Sequence, residues 1–177
     1  KRIPLMFYSA EISQIVSSAV IAVFVGLLVA AALNDLCVYR IPNWLVVSIV
    51  ALYPIFVFST ELQIDWLMAL AGATGAFAVG FSLFYFGVMG GGDVKLISAT
   101  ALWAGPAHIL EFLFITAIVG GLMSIIMVTP ARLALASAFD TIGLHRPREI
   151  LLANVLPYGV AIAFGGVVVG LRQMMAL

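Results

Sequence analysis

Charge is scarce in this sequence. Lys and Arg together number eight in 177 residues, Asp and Glu another eight, and the formal net charge is zero. With a pI near 6.9 there is no basic patch for a nucleic acid, so DNA and RNA binding are set aside. Cysteine is scarcer still. Cys37 stands alone, which excludes a disulfide within the chain and a four-cysteine zinc site; a small apolar residue near a helix end accounts for it. The Gly-x-x-x-x-Gly-Lys-Ser/Thr phosphate loop is also missing, and no metal site or cofactor is expected.

Apolar side chains fill the space that charge leaves. They make up 64% of the residues, against roughly 45–50% in ordinary soluble domains, and the mean hydropathy is +1.23. The expected fold is all-α: a polytopic membrane protein with about six helices of ~20 residues in one bundle, with residues 1–177 forming a single transmembrane domain. Ile12 to Asn34 carries no formal charge and predicts the first helix. That run is too long for a cleaved signal peptide, so it is expected to stay. Pro42 suits the first turn of a second helix, from near Ile41 to about Ser59. Glu61 and Asp65 mark an acidic loop before a third helix, on which Gly72, Ala76 and Gly80 form a small-residue stripe for close packing. A fourth helix runs from Leu96 to about Trp103 and ends at Gly105-Pro106; a fifth runs from Phe112 to about Thr129. After a polar connection, in which Leu133, Leu135 and Phe139 suggest a surface helix, a sixth runs from about Ala153 to Leu171 with small residues at Gly166 and Gly170.

Cations cluster in alternate loops. Arg40, Lys95, Arg132, Arg146 and Arg148 follow the first, third and fifth helices, whereas Glu61, Asp65 and Glu111 are the full charges after the second and fourth. An excess of Lys and Arg marks the cytoplasmic side, so the basic loops are expected inside and both termini outside. Trp44 is then expected at the inner interface, Trp66 and Trp103 at the outer one.

Two acids stand out against this background. Asp35 closes the first apolar run in Leu33-Asn34-Asp35-Leu36, and Asp93 follows Gly90-Gly91-Gly92. An ionisable group at membrane depth costs at least ~2.5–3.5 kcal/mol on insertion scales and is read as functional, with a partner to be found. The topology sends both aspartates to the same inner rim. Two carboxylates within reach of one water cannot both ionise cheaply; they share a proton, the arrangement needed for aspartic proteolysis. Asp35 and Asp93 are therefore the candidate catalytic pair. Gly90, Gly91 and Gly92 are candidate substrate-binding residues, because a chain without side chains lets an extended peptide lie against it and reach its N–H groups. Three glycines also serve as a simple reversal between two spans. Lys95 is a further candidate, for biasing the pair or meeting an acidic substrate residue, beside the plainer role of an interfacial lysine. Asn43 is expected to cap the second helix, and His108 to lie at the far end from the aspartates.

These motifs carry a resemblance. Gly90-Gly91-Gly92-Asp93-Val94-Lys95 resembles the glycine-x-glycine-aspartate motif of intramembrane aspartic proteases, and its company is similar to that of the type IV prepilin peptidases. Asp35 with Arg40-Ile41-Pro42-Asn43 looks like the first motif of that family, and Leu156-Pro157-Tyr158-Gly159-Val160-Ala161 like its final-helix signature. The resemblance implies an aspartic endopeptidase that removes a short basic leader from prepilins or pseudopilins at the cytoplasmic face of a bacterial or archaeal inner membrane. Longer members carry a domain with two Cys-x-x-Cys pairs that bind zinc, and some methylate the new N-terminus. This sequence has no such pairs, so methyltransferase activity does not carry over. Its compact form is similar to the peptidases of tight-adherence pilus systems, which cut small Flp-type pilins. An ion- or proton-coupled transporter and a non-catalytic subunit of a pilus or secretion assembly are the alternatives that paired intramembrane carboxylates leave open.

Overall fold

The uncharged run that begins at Ile12 does form a helix, and a longer one than its apolar core requires. In the computed structural model, which describes residues 5–129 and 156–177, α1 spans Leu5–Val38, α2 Asn43–Ser59, α3 Trp66–Tyr85, α4 Gly91–Val128 and α5 Tyr158–Ala176. No strand occurs among the described residues. Four of the helices are long and apolar enough to cross a membrane, while α2 is apolar but shorter. Their outward faces are greasy: Phe58, Leu110 and Val128 are nearly bare. A surface of this kind is stable against lipid tails, and the chain is a helical membrane protein.

The fourth and fifth helices expected from the sequence are the two arms of α4, which follow one another without an intervening loop. Within α4, Gly105 takes φ 56° and ψ −174° and is followed by Pro106. A positive φ costs glycine nothing, and proline cannot continue the preceding hydrogen-bond ladder, so the chain turns there. The contacts show that it turns back. Asp93 and Gly120, on either side of the break, both lie near the start of α5, whereas Trp103 and Glu111 both meet its end through Gln173 and Arg172. The arms 91–104 and 106–128 thus form a hairpin. Gln173 holds the turn: its Nε2 donates to the Trp103 carbonyl at 2.6 Å.

Trp103 is the centre of the core rather than an interfacial anchor, which corrects the expectation for it. It is 1% exposed, its ring stacks on Phe24 at 4.1 Å and on Phe56 at 5.3 Å, and Tyr53 meets it edge-on at 5.8 Å. Its indole N–H donates to the Ile49 carbonyl at 2.9 Å, so no polar atom of the ring is left bare inside the bundle. Trp44 and Trp66, by contrast, are exposed at helix starts. At the Trp103 end, the Ser13 hydroxyl donates to the Ser59 carbonyl and Ser17 meets Ser59 Oγ, joining the start of α1 to the end of α2. Asp65 caps α3 by accepting from the Met68 N–H.

Small residues set the helix spacing, as their stripes predict. A Cβ on Gly72 would lie 2.7 Å from Ile109, and one on Gly80 3.2 Å from Val94, so α3 rests against both arms of α4. On α5, Gly166 sits between Leu28 of α1 and Thr100 of α4, and Gly170 against Val25. Backbones come close where side chains are missing, which is how helices associate in lipid. The suggested surface helix with Leu133, Leu135 and Phe139 lies outside the described residues, as does His145.

Candidate active site

Asp35 occupies the last turn of α1 and Asp93 the first turn of α4. The two helices run in opposite senses, which brings the acids to the same end of the bundle. Both line one cavity of about 580 Å³, with Tyr39 to Asn43 on one side and Gly90 to Gly92 and Lys95 on the other. Both are buried, at 6% and 9% exposure, and each lies within electrostatic reach of the other. The cavity is at the opposite end from Trp103 and from His108, whose Nδ1 faces Glu111 at 3.6 Å.

Each carboxylate has its own backbone anchor. Asp35 Oδ2 accepts the Gly159 N–H at 2.8 Å, across a separation of 124 residues. Gly159 belongs to the first turn of α5, where N–H groups have no helical partner, so the acid fills a donor that the helix leaves open. There is no room for more: a Cβ at Gly159 would fall 2.7 Å from Asp35 Oδ2 and 3.0 Å from its Cβ and Cγ. Asp93 instead reaches back one turn and accepts the Gly90 N–H at 3.2 Å. That is one half of a capping box; glycine has no side chain to supply the other half.

The approach to the cavity is shaped by a backbone that only a fixed scaffold tolerates. Tyr39 has φ 52°, a left-handed conformation that costs a non-glycine residue ~1–2 kcal/mol, and its N–H closes α1 on the Asp35 carbonyl at 2.9 Å. The chain reverses there, and Ile41 lands on Gly92, where a Cβ would lie 3.2 Å from Ile41 Cβ. No feature of the sequence singled out Tyr39.

The glycines differ from expectation in one respect. Gly91 and Gly92 are helical, and a Cβ on Gly91 would touch Phe84 of α3 at 3.4 Å. The three residues are therefore a helix N-terminus, with the Gly90 N–H given to Asp93, not an extended edge for strand addition. Asn43 does not cap α2, whose N-cap is Pro42 without a side-chain bond; its Oδ1 instead accepts from Lys95 Nζ at 3.0 Å. The lysine thus fastens the start of α2 to the start of α4, and its ammonium is committed to Asn43 rather than to either carboxylate. Tyr158 packs beside Gly120.

What the arrangement offers is two buried carboxylates, one water-accessible space, and a set of backbone donors at two helix starts. A model of the type IV leader peptidase family matches residues 22–125, more than half of the chain, with both aspartates inside the match. The chain belongs to the type IV leader peptidase family. As a leader peptidase family member it is of the hydrolase class. The family match ends before α5, so the Gly159 anchor is a contribution of the three-dimensional structure. No curated protein and no solved structure matches the chain. Among the described residues no cluster of His, Cys, Asp and Glu is arranged to hold a metal ion.

Proposed function

We propose that this leader peptidase family member is a membrane-embedded aspartic endopeptidase that removes the basic leader from type IV prepilins or pseudopilins, with Asp35 and Asp93 as its catalytic pair. The observation that carries the reading is the shared cavity: two buried acids from distant parts of the sequence open onto the same space at one end of the bundle. One carboxylate in its ionised form takes a proton from water, the other in its neutral form donates a hydrogen bond to the scissile carbonyl, and the peptide carbon is attacked between them. The backbone anchors hold each acid by one oxygen and leave the other oxygen to the reaction.

The alternating distribution of Lys and Arg supports a cytoplasmic orientation of this end. A basic leader would then be met on the side where it is synthesised, and the lack of Cys-x-x-Cys pairs favours small Flp-type pilins as substrates without methylation. Incubation of the purified protein with a panel of prepilins, read by mass measurement of the products, tests the proposal. A shortened pilin that disappears with Asp35→Asn and with Asp93→Asn is the expected result. Uncut pilins across the panel, or cleavage that survives either substitution, refute it.

A further inference from the structure

Beside the aspartate cavity runs a second recess, and one residue belongs to both. Val46 and Val50 of α2 form one wall, Leu70, Thr74 and Phe77 of α3 the other, and Ser98, Ala99 and Leu102 of α4 the floor; Lys95 closes the inner end. The space is about 340 Å³. It exists because α2 and α3 scarcely touch each other, while both rest on the first arm of α4. Val50, Leu70 and Phe77 are 43%, 51% and 46% exposed, so the recess opens sideways, toward lipid.

We propose that this lateral channel receives the apolar helix of the substrate immediately beyond the scissile bond. The proposal rests on the leader peptidase reading and names where its substrate lies. Three observations select that occupant. The first is continuity: Lys95 lines both spaces, so a chain lying in the channel arrives at the aspartates after crossing the Lys95–Asn43 bridge. The comparable apolar recess on the other face of α3, lined by Val79, Leu83 and Met89, shares no residue with the cavity. Second, small residues, Ala73, Thr74, Ser98 and Ala99, alternate with Leu70, Phe77 and Leu102 along the floor and the α3 wall, and at those points a helix backbone can approach closely, whereas lipid tails need no such relief. Third comes length. From Lys95 to Leu102 the floor runs ~10 Å at 1.5 Å per residue, which seats about two turns of a helix. The hydroxyls of Thr74 and Ser98 are already satisfied by the carbonyls of Leu70 and Val94, so an apolar segment leaves no polar group stranded there. The charged leader then projects into the open cavity while the apolar helix stays in the membrane.

The test compares a membrane-inserted prepilin with a short soluble peptide that spans the same cut site but lacks the apolar helix. Thr74→Trp fills the channel from an exposed position. It is expected to reduce kcat/KM for the full prepilin by at least tenfold and to leave peptide cleavage within twofold of the parent. Val79→Trp, in the unconnected recess, is expected to change neither. In a Cys37→Ser background, Thr74→Cys is expected to cross-link to a cysteine placed within two turns after the cut, and Val79→Cys is not. Unchanged cleavage of the prepilin together with no cross-link overturns the proposal and makes the channel a lipid groove. Equal loss on both substrates, with no cross-link, overturns it as well. If the parent protein cuts the peptide, the peptidase reading survives either failure; if it cuts nothing, both readings fall.

Discussion

Replacing Gly159 by alanine probes the tightest contact at the site. The added methyl would sit 2.7 Å from Asp35 Oδ2, and the carboxyl must retreat by roughly 0.7 Å to reach ordinary contact at 3.4 Å. The helix has little freedom to yield instead, because Gly166 is wedged between Leu28 and Thr100 one side chain deep. Asp35 therefore moves, and its bond to the Gly159 N–H lengthens from 2.8 Å. A hydrogen bond to a charged group contributes about 1.5–3 kcal/mol, and a ~1 Å misplacement of a reacting group costs on the order of 10²-fold. The rate of leader cleavage should fall by about 10²-fold, mainly in kcat, with helix content in detergent unchanged. Initial rates from product masses and far-UV circular dichroism measure the two quantities. Gly121→Ala is the control, since nothing lies within 4 Å of its Cβ position. Cleavage by Gly159→Ala within twofold of the parent would refute the idea that this anchor places the acid.

The same logic applies more mildly at Gly90, where a Cβ would stand 2.9 Å from Asp93 Oδ2; Gly90→Ala should slow cleavage by roughly tenfold in the mass assay, as it disturbs one anchor near its exposed side. Because the pair works with one proton between two carboxylates, the rate should fall on both sides of a maximum as pH is varied: acid protonates both members, and base strips the shared proton. A rate that is flat over that range argues against the pair. Trp103→Ala removes a buried ring with its stacking partners and its bond to Ile49, and should destabilise the bundle by ~3–5 kcal/mol, seen as a lower thermal midpoint in detergent. Lys95→Met should leave both acids in place but free the start of α2, so helix content should be kept while cleavage weakens modestly, by a few-fold.

The bundle was legible because its signals are compositional. Long uncharged runs, Pro42, Asp65 and the Gly105-Pro106 pair sit where the helix ends are found, and the Gly72 to Gly80 stripe faces α4 as its spacing implies. The meeting of Asp35 with Asp93 was legible from topology alone: odd helices end, and even helices begin, at the same rim. Trp103 was misread because tryptophan near a helix end serves equally well as an interfacial anchor or a core ring, and only the neighbours Phe24 and Phe56 decide. Asn43 was misread for a related reason, since its amide bonds across 52 residues to Lys95 rather than within its own turn. The role of Gly159 was hidden because a backbone N–H leaves no mark in a sequence; its glycine identity was visible only as part of a signature.

The position of Gly166 has a further consequence. It separates α1 from the first arm of α4 by the thickness of a bare backbone, about two turns along α5 from Gly159. Since Asp35 rides on α1 and Asp93 on α4, the gap between the two acids depends on this distant fulcrum as well as on the two anchors. Widening the wedge pries the rods apart like the jaws of a clamp, leaving both acids intact yet out of step.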